Sequence, residues 1–105
     1  MLIKSEIEIK KTLLPENLKG ILWSKNINNI NLESDKIYII HQVLSFGDIE
    51  EIRWLFKKYS SDEIKMVFIN IPKRIYTRPV FLFIKEYILK INTGLDEKNY
   101  VKSFF

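Results

Sequence analysis

The sequence predicts a compact all-α bundle of four to five short helices preceded by an N-terminal arm. Three observations carry that expectation. Apolar residues recur at helical spacing in separate windows. Capping residues bound those windows. The connections between them are short, which favours helices packed against their neighbours. A chain of 105 residues is one ordinary small domain, here divided into an arm over 1–13 and a single helical domain over 14–105.

The arm alternates over Glu6–Lys10, a strand-like period. "LPENLKGILW" opens with Pro15 and Glu16, residues suited to a first helical turn, and predicts a short helix at about 15–22. The asparagine-rich "SKNINNIN" over 24–31 favours a loop. In "LESDKIYIIHQVLSFG", Ser34 or Asp35 can cap a helix whose apolar face holds Ile37, Ile40 and Leu44, widened by Ile39 and Val43. Gly47 is expected to end it in a left-handed conformation.

The next two helices are marked by similar openings. Asp48 and Glu51 have capping-box spacing, and so do Ser60 and Glu63. Ile49, Ile52, Leu55, Phe56 and Tyr59 then form one helical face; Ile64, Val67, Phe68 and Ile71 form another, stopped by Pro72. Thr77 caps a final helix with Pro79 in its first turn. Val80, Phe83, Ile84, Tyr87, Ile88 and Ile91 give that helix a wide apolar face. Phe81 and Leu82 make its start apolar nearly all round, so it is expected to be central, with "NTG" at 92–94 ending it. The tail is expected to add one turn or to dock through Tyr100, Phe104 and Phe105.

Composition excludes several classes of function. With no cysteine there is no disulfide, thiolate metal site or cysteine nucleophile. A single histidine, His41, cannot build a zinc site with partners of its own kind; it reads as a partly buried structural residue. Glu50, Glu51, Asp62 and Glu63 sit in first turns, where acids stabilise the helix dipole, and neighbours in sequence diverge on a helix. They need no catalytic role. Three scattered glycines make no phosphate-cradling loop. The expectation is a non-enzyme with no catalytic, cofactor or metal site. The longest apolar run, "VFLFI", falls far short of the ~20 residues of a membrane span. No signal-peptide hydrophobic region precedes it, so a soluble cytoplasmic protein is expected.

Charge points to binding. Over 64–90, Lys65, Lys73, Arg74, Arg78, Lys85 and Lys90 face Glu86 alone, an excess of +5 within a chain of net charge +4. Residues 48–63 carry a net −2. Such asymmetry can steer a nucleic acid or an acidic protein patch, against the alternative of a mixed solvated surface. The connector "PKRIYTRP" mixes Lys73, Arg74 and Arg78 with Tyr76, a composition able to contact phosphates. The following helix opens on Val80, Phe81 and Leu82, where a base-reading helix needs polar groups. Trp23 reads as core. Trp54 fits core or interface equally, with Arg53 and Lys57 close by.

"ILWSKNINNINLESDKIYIIHQVLSFGDIEEIRWLFKKYSSDEI", followed by "PKRIYTRPVFLFIKEYIL", resembles a family of small prokaryotic helical proteins. The matching positions are Leu22, Trp23, Leu32, Asp35, Lys36, Ile39, Ile40, Val43, Leu44, Gly47, Asp48, Ile52, Trp54, Leu55, Tyr59, Glu63 and Ile64, and the resemblance covers about 18–90. Ser60 departs from the family's glycine. The final segment has Phe83 without the following tryptophan. Members are often encoded beside nucleotidyltransferase-type toxins of the abortive-infection class. The resemblance therefore implies an antitoxin-like module that contacts and neutralises such a toxin. Arg53, Trp54, Lys57, Lys73, Arg74 and Arg78 are the expected contact residues. The alternative is a DNA-binding transcriptional regulator using the basic region 64–90. The arm and Phe104–Phe105 can each cover a second copy, which leaves a homo-oligomer open.

Overall fold

The computed structural model describes residues 21 and 30–102. The arm over 1–13, the helix expected at 15–22 apart from Ile21, Trp23, most of the asparagine-rich loop and Phe104–Phe105 lie outside the described residues. Within them the protein is an all-α bundle. Helices α1 (Lys36–Phe46), α2 (Ile49–Lys58), α3 (Ser61–Asn70) and α4 (Arg78–Phe83) follow in order. α4 continues into a π-helical turn at Ile84–Ile88, and a 3₁₀ turn follows at Glu97–Asn99. α1 packs against both α2 and α3. No strand occurs among the described residues; a single parallel bridge joins Tyr76 to Val101.

The helix starts follow from local hydrogen bonding. Asp48 accepts from the Glu51 N–H at 3.0 Å while the Glu51 carboxylate accepts from the Asp48 N–H at 2.8 Å. Ser60 and Glu63 repeat the exchange at 3.1 and 3.3 Å. Each box satisfies two otherwise orphaned donors, and losing such a cap costs about 1 kcal/mol. Thr77 accepts from the Val80 N–H at 3.4 Å. The start of α1 departs from expectation: the Asp35 side chain makes no cap bond. It accepts from the Asn31 N–H instead, and Asn31 accepts from Glu33 and Ser34. Asn31 thus organises the turn that leads into the helix.

Gly47 also departs from expectation. Its φ of −80° and ψ of 156° are extended, not left-handed. Glycine is needed there for space. A Cβ would come within 2.6 Å of the Val43 carbonyl oxygen and crowd the Glu51 side chain.

The central helix is α1, not the last helix. Every residue from Ile39 to Leu44 is buried, including the polar His41 and Gln42. Against it pack Ile52, Leu55 and Tyr59 from α2, and Ile64, Val67 and Phe68 from α3. Beside Phe68 lies an aromatic group: Tyr100 has its ring centroid 4.8 Å from both Phe68 and Phe81, and Tyr76 stands edge-on to Phe68 at 5.7 Å. Each fully buried large side chain contributes roughly 1.5–3 kcal/mol.

α4 uses one face only. Phe81, Ile84, Leu89 and Ile91 are buried, whereas Phe83 and Tyr87 project outward. The expected face placed Phe83 and Tyr87 inside; the pairing of Phe81 with Ile84 at helical spacing sets the observed one. The helix also ends earlier than 92–94. Its last turn widens to π geometry, Leu89 N–H donates to Ile84 O, and Lys90 adopts a φ of +52°. Ile71 and Ile49, assigned to core faces by spacing, lie at helix ends and are exposed. The tail docks as expected through Tyr100, whose hydroxyl donates to the Phe68 carbonyl at 2.6 Å.

Candidate partner-binding surface

The one histidine is structural. His41 is fully buried, with Nε2 2.6 Å from the Ile71 carbonyl and Nδ1 2.7 Å from the Tyr76 hydroxyl. A carbonyl oxygen can only accept, so Nε2 carries the proton and Nδ1 accepts from Tyr76. Burial, assisted by the positive charge of Lys73, lowers the imidazole pKa to about 4, so the ring is neutral near pH 7. Both nitrogens are engaged and neither reaches solvent. The Tyr76 hydroxyl is likewise pushed well above its ordinary value by burial.

The acids have local work. Glu51 and Glu63 close the two capping boxes. Glu63 also pairs with Lys36 at 3.0 Å. The hydrogen bond from Lys36 holds the Glu63 pKa below the usual carboxylate value and raises that of Lys36. Glu50 lies 3.5 Å from Arg53. Tyr59 donates to the Leu32 carbonyl at 2.6 Å, and burial, with Glu33, Glu63 and Asp35 nearby, pushes its hydroxyl up to about 12. Among the described residues no group of three or more histidines, cysteines and acids is placed to hold a metal ion.

The six expected contact residues fall into two groups. Arg53 and Lys57 are exposed one turn apart on α2. Trp54 between them is half-buried and packs against the core. Lys73 and Arg74 are exposed on the connector between α3 and α4. Arg78, at the start of α4, is 60% exposed yet donates to Glu97 at 2.8 Å. The two groups occupy different elements, α2 on one hand and the α3–α4 connector with the first residue of α4 on the other.

Residues 17–68 match the model of a family of unknown function, DUF6922. The match takes in α1, α2 and most of α3. Arg53, Trp54 and Lys57 therefore lie within the DUF6922-like span, and Lys73, Arg74 and Arg78 lie beyond it. No curated protein and no solved structure matches the chain.

The structure adds contact candidates that spacing did not single out. Met66 and Ile69 in the second half of α3 and Ile71 just after it are 60%, 38% and 43% exposed, around the point where the DUF6922-like span gives way to the connector. Met66 and Ile69 stand opposite the Ile64–Val67–Phe68 core stripe. Their signal in the sequence is large apolar side chains at positions that the helical period turns to solvent. Pro72, Lys73 and Arg74 follow directly, all exposed.

The connector is braced from α1. His41 holds the Ile71 carbonyl, and the Ser45 hydroxyl donates to the Ile75 carbonyl at 3.0 Å. Tyr76, hydrogen-bonded to His41, also pairs with the tail: its N–H donates to the Tyr100 carbonyl at 2.9 Å and its carbonyl accepts from the Lys102 N–H at 3.1 Å. Both ends of the cationic segment are thus tied to buried structure.

Proposed function

We propose that the chain is an antitoxin-like, protein-binding module of the cytoplasm that contacts and neutralises a cognate nucleotidyltransferase-type toxin without catalysing a reaction itself. One observation chiefly supports this reading. Met66, Ile69 and Ile71 are exposed apolar side chains in and just after α3, and the exposed cations Lys73 and Arg74 follow them in sequence. Large apolar side chains left exposed next to charged ones are a feature that protein contact surfaces use. Arg53 and Lys57, exposed one turn apart on α2 beside the half-buried Trp54, supply a second candidate contact region. No helix among the described residues is long and apolar enough to cross a membrane, which accords with a soluble setting.

The test is co-purification with the product of the adjacent gene. A complex that survives size-exclusion chromatography at micromolar concentration is expected. Two folded proteins that elute separately would remove the reading.

A DNA-binding regulator is the second reading, and the exposure of Lys73 and Arg74 favours it. Against it, the first turns of α4 are committed to packing: Phe81 is buried, and Val80 and Leu82 are half-buried. Titration with the protein's own promoter at two salt concentrations separates the cases. A regulator holds a specific site tightly, whereas a merely basic protein binds weakly and loses that binding steeply with salt.

A further inference from the structure

We propose that His41 is a proton-sensitive latch on the α3–α4 connector. Its neutral ring ties both ends of the connector to α1. Uptake of a proton releases the connector, with the stretch of tail bonded to it, in a local opening that precedes global unfolding. The inference is independent of the partner reading. It concerns the segment that carries Lys73 and Arg74.

The geometry admits only the neutral ring. Nε2 donates to the Ile71 carbonyl at 2.6 Å and Nδ1 accepts from the Tyr76 hydroxyl at 2.7 Å. A protonated Nδ1 becomes a donor and meets a donor. The Tyr76 hydroxyl can turn to accept, but its own proton then needs an acceptor inside the core, because Tyr76 is fully buried. The new charge also lacks a counter-ion. From the connector the ring meets the Tyr76 hydroxyl and feels Lys73, a charge of like sign. From α3 it meets the Phe68 ring, 6.3 Å away between centroids, and beyond Tyr76 stands Tyr100 of the tail. On α1 itself the positions about one turn away are Ile37, Tyr38, Leu44 and Ser45, none of them charged. No carboxylate of a described residue is bonded to the ring. A buried cation without a partner is strongly disfavoured.

What the ring holds is one connected unit. Ile71 and Tyr76 bound the cationic stretch. Tyr76 in turn carries the tail, through its N–H to the Tyr100 carbonyl and its carbonyl to the Lys102 N–H. Besides the imidazole, α1 reaches the connector through the Ser45 hydroxyl, which donates to the Ile75 carbonyl at 3.0 Å. Loss of the imidazole contacts therefore leaves one neutral hydrogen bond from α1 to hold the connector. α2 is closed by its own capping box and buries Ile52 and Leu55 against α1, so it can stay folded while the connector opens. Such partial openings are the usual way in which the less stable parts of a fold give way first.

The test is amide hydrogen exchange, read by NMR on the whole protein from pH 7 to 4 and corrected for the intrinsic rate at each pH. The His41 ring is titrated in the same samples. Burial holds the closed ring to a pKa of about 4, against the ordinary 6.5 once it is opened. Below 6.5 the opened form takes up the proton that the closed form refuses, so opening grows as pH falls and levels off near 4. Protection of the Tyr76 and Lys102 N–H groups should fall about twentyfold by pH 5 and about a hundredfold by pH 4. Leu55, in the middle of α2, should stay better protected than both by about tenfold or more at every pH. His41→Gln keeps a donor and an acceptor but does not titrate, and should abolish the fall at Tyr76 and Lys102. Protection at these two amides that does not change with pH overturns the latch. So does a single opening shared equally with Leu55, which is global unfolding, and so does a fall of the same size in His41→Gln. Should that variant not fold, the wild type decides alone: protection lost out of step with the ring's own titration overturns the latch as well.

Discussion

Helices α1 and α4 are built from similar residues and end in different environments. α1 reads "KIYIIHQVLSF" and carries two polar side chains mid-helix; α4 with its π turn reads "RPVFLFIKEYI" and opens more apolar. Yet α1 is buried from Ile39 to Leu44, and α4 leaves Phe83 and Tyr87 in solvent. The difference lies in what meets the polar groups. His41 and Gln42 can be buried because Ile71, Tyr76 and the Ile21 carbonyl satisfy them. No buried side-chain nitrogen or oxygen among the described residues lacks a partner. Burial here follows the placement of hydrogen-bond partners as much as hydrophobicity.

The largest test of that contrast compares truncations. Ile40→Ala, at a fully buried position of α1, should cost about 2–5 kcal/mol in urea unfolding. Phe83→Ala removes a larger side chain from α4 and should cost about 1 kcal/mol or less. Equal costs would mean that the outward face of α4 is covered.

The second test concerns His41. Its pKa is about 4 when folded, against an ordinary 6.5 when unfolded. Between these values the unfolded chain binds the extra proton. The contribution is therefore complete above about pH 6.5 and declines as pH falls towards 4, by about 3 kcal/mol in all. His41→Leu abolishes that dependence and strands the Ile71 carbonyl and the Tyr76 hydroxyl, at about 1–3 kcal/mol each. The difference between wild type and variant, followed by denaturant unfolding from pH 7 to 4, isolates the histidine from the carboxylates. A difference that does not change with pH would mean that the ring is not held neutral.

The smallest expected effect is a gain. Lys90 holds a φ of +52° at the end of the π turn, a conformation that glycine adopts freely and other residues at a cost of roughly 1–2 kcal/mol. Lys90→Gly should raise the unfolding free energy by about 1 kcal/mol and leave Ile40→Ala equally damaging, since the two sites are independent.

How much of this was legible depended on range. Short-range chemistry was readable: Asp48 with Glu51, Ser60 with Glu63 and Thr77 with Val80 each act within one turn, so their spacing alone marks the helices. Choices that depend on distant partners were not readable. Nothing local says that Ile71 and Tyr76 will satisfy His41, so apolar content alone points to α4 rather than α1 as the central helix. Gly47 was recognised as a helix end, but the need for space beside Val43 and Glu51 appears only when the chain folds back into α2. At the surface, Lys73 and Arg74 were found by composition. Met66 and Ile69 carry no comparable signal, because an apolar side chain on a helix reads first as core.

The proposed neutralisation through direct contact is open to a single titration. The proposed partner, a nucleotidyltransferase-type product of the adjacent gene, is assayed for activity while this protein is added. Neutralisation by contact predicts that activity falls to background near stoichiometric equivalence and that Met66→Asp shifts the curve to higher concentration. Full activity in the presence of a large excess of folded protein would contradict it.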